Sequence, residues 1–107
     1  ATQALGGSPN FHSDGRLGLF VMELSPEMAE RLGFQEMKGA LILNVDANRP
    51  AGKAGLRDGM LIRSVNGTPV GNVADYVKAM ENASLEEGVT VEVQTRGGPK
   101  TVTIQSP

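Results

Sequence analysis

The sequence contains no cysteine and no tryptophan, and only one of its 107 residues is a histidine. Without thiols, the chain has no disulfide, no Cys-ligated zinc or iron–sulfur site and no thiolate nucleophile. The single histidine excludes the ordinary multi-histidine metal sites. These absences predict a domain that works without a metal and without any other cofactor.

A strong charge of either sign and a long hydrophobic run are also missing. The formal net charge is −2 and the Lys and Arg residues are not clustered, which argues against binding nucleic acid through its phosphates. No apolar run approaches the roughly 20 residues of a membrane span, so we expect no membrane insertion. The N-terminus lacks a basic and then apolar leader, so any export signal is expected to lie outside these residues.

The residues that are present fit one small domain. Hydrophobic residues make up 39% of the chain and glycine occurs 14 times, enough apolar content for one modest core. Residues 1–15 are rich in Gly, Ser and Pro and predict a flexible lead-in or linker, in which Leu5 and Phe11 are the candidates for docking on the body. The folded domain is expected over residues 16–105.

Apolar runs and turn signals predict a succession of strands and helices. Strands are expected at 17–22, 40–45, 60–65, 89–94 and 101–104, with a brief one after the Asn66-Gly67 hairpin turn. Ser25-Pro26 starts a short helix that Gly33 ends, a helical turn follows Pro50, and residues 73–80 form an amphipathic helix. This pattern predicts an α+β fold: a small curled antiparallel sheet of about five to six strands, capped by two main helices and a short helical turn.

The candidate catalytic groups do not assemble into an active site. His12 lies between Phe11 and Ser13 in the lead-in, near Asp14, where it is interpreted as a solvated tail residue, because triad partners need rigid supports. The Glu86-Glu87 pair is expected on a solvated turn. Since no Gly-x-Ser-x-Gly elbow or phosphate-binding glycine motif is present, the sequence predicts a non-enzymatic domain.

Gly18 is unusual because it lies within the most apolar predicted strand. A strand glycine marks a bulge, tight packing, or a place where another backbone comes close. Backbone N–H groups near Gly18, with Arg16 beside them, could bind an anion. An edge strand there could also pair with an added peptide, facing a helix with surplus apolar residues. A core role is nevertheless favoured for Tyr76 of that helix.

Four segments in the right order carry a resemblance to a known family. Residues 15–19 (Gly-Arg-Leu-Gly-Leu) resemble a carboxylate-binding loop, and residues 23–29 the helix inserted after it. Residues 50–56 are similar to a Pro-Ala-x-x-Ala-Gly-Leu turn, and residues 59–70 to the strand and hairpin that follow. Asp75-Tyr76-Val77 lies where a groove helix belongs. Residues 15–104 thus resemble a PDZ domain of the bacterial HtrA (Deg) serine-protease type.

The resemblance implies capture of a polypeptide C-terminus as an added strand, between the first predicted strand and the groove helix. It implies that the terminal carboxylate is held by Arg16, Leu17, Gly18 and Leu19. The groove or pocket is then lined by Phe20, Val21, Val73, Tyr76, Val77 and Met80, together with Leu19. A β-branched residue in place of Gly18 is expected to abolish binding and to leave the fold largely intact.

Two positions depart from the family pattern. Met60 stands where the family usually has Asp, which predicts the loss of a loop hydrogen bond. Val73 offers no imidazole or hydroxyl to a ligand, which predicts a preference for apolar ligand ends.

The resemblance also implies a setting for the domain. It implies a periplasmic or otherwise extracytoplasmic location and a role in protein quality control. The expected partners are the C-termini of unfolded or partner proteins, and the protease domain of an HtrA-like parent hydrolase.

Two alternatives remain open at this point. The first is an assembly module whose groove is filled in cis or by a neighbouring subunit, through the lead-in with Leu5 and Phe11 or through residues 103–107. Self-association through the termini would follow from that arrangement. The second is a PDZ domain from another exported or membrane protease.

Overall fold

The computed structural model describes residues 11–34 and 37–105 of the chain. The strands are β1 (Phe11–Asp14), β2 (Leu19–Glu23), β3 (Ala40–Val45), β4 (Leu61–Val65), β5 (Thr68–Pro69), β6 (Val89–Thr95) and β7 (Gly98–Ile104). The helices are α1 (Pro26–Leu32), α2 (Pro50–Lys53) and α3 (Val73–Glu81). Leu5, considered above as a docking residue, lies outside the described residues.

The strands form one antiparallel sheet in the order β1-β2-β3-β4-β6-β7, with β5 paired to β4. A bulge interrupts the pairing of β2 with β3 between Phe20 and Val21. The predicted α+β class with a curled antiparallel sheet is confirmed. The described residues contain seven strands rather than five to six, and the strand that the sequence did not predict is β1.

The helix ends follow the local signals in the sequence. The Oγ of Ser25 accepts a hydrogen bond from the Met28 N–H at 3.2 Å, and Gly33 ends α1 with a φ of +82°. The Oδ1 of Asn72 accepts from the Asp75 N–H at 2.8 Å and so caps α3. These side chains satisfy N–H groups that have no partner within the first helical turn, as the sequence predicts.

The main core lies between the sheet and α3. Its buried residues include Leu19 and Val21 of β2 and Val73, Tyr76 and Met80 of α3, packed with the inner faces of β4, β6 and β7. A second, smaller cluster under α1 consists of Ala29, Phe34, Leu41 and Leu61. In the part of the chain that the structure describes, no helix is long and apolar enough to cross a membrane.

β1 differs from the flexible lead-in that composition predicted over residues 1–15. Its side chains alternate: Phe11 and Ser13 are exposed, His12 is half-buried and Asp14 is buried. The expectation of a solvated His12 therefore needs correction, because its ring centroid lies 6.0 Å from that of Tyr76. Residues two apart on a strand share a face, so His12 and Asp14 both point toward α3.

Candidate functional site

Both edges of β2 are paired with other strands. β3 takes one edge, and β1 takes the other in an antiparallel register that sets Asp14 opposite Leu19 and Phe11 opposite Met22. α3 contacts both β1 and β2. β1 therefore occupies the edge of β2 at which the sequence predicts an added peptide strand.

The Asp14 carboxylate is the centre of a hydrogen-bonded cluster. Its Oδ1 accepts from the N–H groups of Arg16 at 3.1 Å and Leu17 at 3.2 Å, and its Oδ2 accepts from the Tyr76 hydroxyl at 2.9 Å. The Gly18 N–H donates to the carbonyl oxygen of Asp14 at 2.8 Å. Asp14 is the one charged side chain that is buried within the described ranges. Successive amides that converge in this way form an anion-binding concavity.

Tyr76 is fully buried and contributes the only side-chain hydroxyl in this cluster. Burial raises the pKa of its phenol well above the usual value of 10, and the negative charge and hydrogen bond of Asp14 raise it further, against a smaller opposing effect of Arg16. The phenol consequently stays protonated and donates to the Asp14 carboxylate.

This raised pKa predicts a loss of stability at alkaline pH. Above the unfolded pKa of 10.0, the unfolded chain releases the phenol proton and the folded chain keeps it. The unfolded state then binds fewer protons, so the free energy of unfolding falls by about 1.4 kcal/mol per pH unit from this group. Urea unfolding between about pH 9 and about pH 11 measures the slope, and Tyr76→Phe removes its tyrosine component.

The chain contains one tyrosine, so the near-ultraviolet absorbance of phenolate reports on Tyr76 alone. We expect no phenolate in the folded protein until the pH unfolds it. A phenolate titration with a midpoint near 10 in the folded state would contradict the buried hydrogen bond to Asp14.

Two side chains fix the position of α3 relative to β2. At one end, the guanidinium of Arg16 donates from Nη2 to the carbonyl oxygen of Met80 at 3.1 Å, near the negative end of the helix dipole. At the other end, the Glu23 Oε1 accepts from the Val73 N–H at 2.8 Å, near the positive end of that dipole. The space between β2 and α3 is thus bounded at both ends by hydrogen bonds.

Most of the predicted groove residues meet between β2 and α3. Leu19, Val21, Val73, Tyr76 and Met80 are buried there in the main core. Val77 is half-buried and lines a surface pocket of about 310 Å³ together with Met80, Glu81 and residues 12–16. The apolar pocket that the resemblance implies for a ligand side chain is therefore largely filled by core packing.

Phe20 is the predicted groove residue that the structure places elsewhere. Because side chains alternate along a strand, it lies on the opposite face of β2 from Leu19 and Val21. Its ring centroid is 5.4 Å from that of Phe11. Phe20 therefore belongs to a half-exposed aromatic pair on the outer face rather than to the groove.

Gly18 lies in the loop before β2, not within the strand. Its φ is +75°, and an added Cβ would overlap the Cβ and Cγ of Arg49. Its carbonyl oxygen accepts from the Asp46 N–H at 2.7 Å. The positive φ and the close approach of Arg49 account for the glycine.

The roles of Asp14 and Glu23 are not among those predicted from the sequence. For Asp14, a signal is present: Asp followed by Gly is a turn dipeptide, and an Asp side chain commonly accepts from N–H groups two and three residues later. For Glu23, no local signal exists, because its partner Val73 lies 50 residues away.

The structure holds no arrangement of side chains suited to metal binding within the described ranges. No group of three or more His, Cys, Asp or Glu side chains is close enough together to hold an ion there. Glu86 and Glu87 are both exposed in a turn, as the sequence predicts. In the described residues, two backbone amides and a phenol bind the carboxylate of Asp14.

A comparison with protein families matches residues 15–105 to the family described as PDZ domain. The chain belongs to the PDZ family. The domain is 35% identical over 91 residues to a probable periplasmic serine endoprotease, DegP-like, of Bartonella henselae, a match covering 85% of this chain and 18% of the relative. It is 34% identical over 92 residues to the protein of the same name from Rhizobium meliloti, with 86% and 18% covered. The chain thus spans about a fifth of these relatives.

Solved structures share the fold of this domain. The HtrA-type protease AlgW with decapeptide superimposes with a TM-score of 0.73 at 23% identity, covering 91% of this chain and 29% of that one. The HtrA3 PDZ domain bound to a phage-derived ligand (FGRWV) superimposes with a TM-score of 0.71 at 19% identity, covering 92% and 88%. At these identities the likeness is one of fold, and it confirms the predicted PDZ architecture.

Proposed function

We propose that this domain binds hydrophobic polypeptide C-termini by strand addition to β2, and that it thereby recruits substrates to an HtrA-like serine protease or regulates it. The observation that carries the proposal is the convergence of the Arg16 and Leu17 amides and the Tyr76 hydroxyl on one carboxylate. A terminal carboxylate offers the same two oxygens as the Asp14 side chain, so the same donors can bind it.

The comparisons support the setting of this function. The relatives are named as probable periplasmic serine endoproteases. One superimposed structure is a protease with a decapeptide, and the other is a PDZ domain bound to a phage-derived ligand (FGRWV). We therefore place the domain in the periplasm, as a non-catalytic part of a protease of that type. Its partners would be the exposed C-termini of unfolded or partner proteins and the protease domain. The names also favour a serine protease over other exported or membrane proteases.

Peptide titration tests the proposal directly. Peptides ending in Val, Leu or Phe are expected to bind, and amidation of the terminal carboxylate is expected to weaken binding about tenfold or more, because a charge-assisted pairing is lost. Isothermal titration calorimetry of acid and amide forms of one peptide gives the ratio. Equal affinity of the two forms would contradict carboxylate recognition by this loop.

A pair of helix variants locates the binding surface. Val77 is half-buried at the pocket beside Met80, whereas Ala74 is exposed on the same helix. Val77→Glu should weaken binding of the acid peptide, because it places a like charge beside the ligand, and Ala74→Glu should leave it nearly unchanged. Thermal melts of both variants exclude unfolding as the cause. If the two variants weaken binding equally, the groove assignment is contradicted.

The alternative of a groove filled in cis is favoured by one observation, the pairing of β1 with β2. As an assembly module, the domain would keep β1 in place and would bind no terminal peptide. The titration separates the two functions when it is repeated with Asp14→Ala, because an assembly module would give no heat with either form of the peptide even after the Asp14 carboxylate is removed.

A further inference from the structure

β1 pairs with β2 in the position and direction that an added ligand strand would take. It runs antiparallel to β2, takes the edge that β3 leaves free, and contacts α3 on its other side. The last residue of β1, Asp14, lies opposite Leu19, the first residue of β2. A peptide that paired with this edge in the same direction would end at the same place, next to the loop amides.

Asp14 supplies this loop with a carboxylate, the same group that the C-terminus of a ligand would supply. Its carboxylate accepts the Arg16 and Leu17 N–H groups and the Tyr76 hydroxyl, and its carbonyl oxygen accepts the Gly18 N–H. All four donors are engaged by one residue. A terminal carboxylate can therefore reach these donors only after Asp14 leaves them.

We infer that β1 is an intramolecular competitor for the groove and that Asp14 takes the place of the ligand's terminal carboxylate. This inference rests on the proposed function of terminal-peptide binding. It adds that β1 must be displaced before a peptide binds. The apparent association constant is then the intrinsic constant multiplied by the fraction of molecules in which β1 is released.

β1 is suited to reversible release. It is only four residues long, and Phe11 and Ser13 remain exposed. Apart from its four-residue pairing with β2, its contacts are those between the His12 and Tyr76 rings, between the Phe11 and Phe20 rings, and the hydrogen bonds of Asp14. Short segments with few buried apolar contacts open at lower free-energy cost than the whole domain.

A disulfide across β1 and β2 tests the inference. Phe11 and Met22 are directly opposite each other, at a Cα separation that a disulfide can span. The chain has no cysteine of its own, so Phe11→Cys with Met22→Cys gives one defined bridge. Met22 lies in the strand to which a ligand would add, although its side chain is not among the predicted groove residues, so the reduced form of the same protein is the reference for both substitutions. We expect the oxidised protein to bind a peptide ending in Val at least about tenfold more weakly than the same protein after reduction, because β1 can no longer leave.

Two further variants complete the design. Thr90→Cys with Thr103→Cys places an equivalent bridge between β6 and β7, where both residues are exposed and opposite each other, and its oxidation should leave affinity unchanged. Asp14→Ala removes the carboxylate that competes for the loop amides and should raise peptide affinity at least about threefold, since the released fraction grows. A urea titration of Asp14→Ala verifies that it remains folded at the temperature of the binding measurement.

The outcomes separate this inference from the proposed function. Equal binding by the oxidised and reduced Phe11–Met22 pair would overturn the competitor while leaving peptide binding intact. Binding by Asp14→Ala alone, with none by the parent protein, would support the competitor. No binding by any of these proteins, including Asp14→Ala, would overturn both.

Discussion

Replacing Gly18 with valine is expected to lower the free energy of unfolding by roughly 2–4 kcal/mol. The φ of Gly18 is +75°, a region that costs an ordinary L-residue about 1–2 kcal/mol and is worse for a β-branched one. The added Cβ would also overlap the side chain of Arg49 and lie 3.3 Å from the Cβ of Asp46. The structure thus changes the expectation from sequence that the fold of this variant stays largely intact.

The loop around Gly18 has little freedom to move away from Arg49. The Leu17 carbonyl accepts from the Ala51 N–H at 3.0 Å, and the Gly18 carbonyl accepts from the Asp46 N–H at 2.7 Å. A shift large enough to relieve the overlap would break one or both of these hydrogen bonds. Each is worth about 1 kcal/mol, and more if the group is left buried without a partner.

A double-mutant cycle separates strain from overlap at this position. Arg49→Gly removes the Cβ and Cγ that a side chain at residue 18 would meet, so it should recover part of the loss in Gly18→Val and leave the cost of the positive φ. Urea unfolding gives the four free energies. Gly15→Ala serves as the control, because an added Cβ there meets no atom within 4 Å, and it should change stability by no more than about 0.5 kcal/mol. A Gly18→Val protein as stable as the parent would show that the loop reorganises freely.

The parts of the fold that the sequence predicted are those fixed by neighbouring residues. Ser25-Pro26 and Gly33 bound α1 because their hydrogen bonds and φ preferences act within one turn. Asn66-Gly67 forms the β4–β5 turn because both residues adopt positive φ, +50° and +82°, as a two-residue hairpin requires. Such signals act over a few residues and are readable without the tertiary structure.

β1 could not be predicted in this way. The residues Phe-His-Ser-Asp of β1 do not alternate between apolar and polar, and they follow a segment rich in Gly, Ser and Pro. β1 pairs with β2 because Asp14 finds donors in the next turn and a hydroxyl on Tyr76, 62 residues further along the chain. That last contact exists only once α3 packs on the sheet.

The sequence predicts most of the residues of the candidate site. It does not predict that β1 and the Asp14 carboxylate lie in that site. The loop amides, the apolar residues of β2 and those of α3 meet where the resemblance implied, because the motifs carry local conformation and helix periodicity. The expectation for Phe20 differs from the structure because the side-chain alternation of β2 sends it to the outer face. The carboxylate in the loop is that of Asp14, for which the sequence suggests no role beyond its position near His12.

Replacing Gly52 with alanine is also expected to change the free energy of unfolding by a large amount. The change is expected to be a loss of stability, whereas helix propensity alone predicts a gain. Gly52 lies within α2, where alanine is favoured over glycine by about 1 kcal/mol. An added Cβ at Gly52 would, however, overlap the carbonyl oxygen of Asp46 and lie 2.9 Å from its carbonyl carbon. These are backbone atoms, which cannot turn away as a side chain can. We expect Gly52→Ala to lower the free energy of unfolding by roughly 2–3 kcal/mol.

The segment that Gly52 meets is held from two directions. The Asp46 N–H donates to the Gly18 carbonyl at 2.7 Å, and the Asp46 carbonyl accepts from the Arg49 N–H at 3.0 Å. The midpoint of urea unfolding measures the effect. Gly97→Ala is the control, because an added Cβ at Gly97 would lie 3.7 Å from the Thr95 Oγ1, an ordinary van der Waals contact. A raised midpoint for Gly52→Ala would mean that propensity outweighs the contact, and it would remove the structural reason for a glycine within this Pro-Ala-x-x-Ala-Gly-Leu turn.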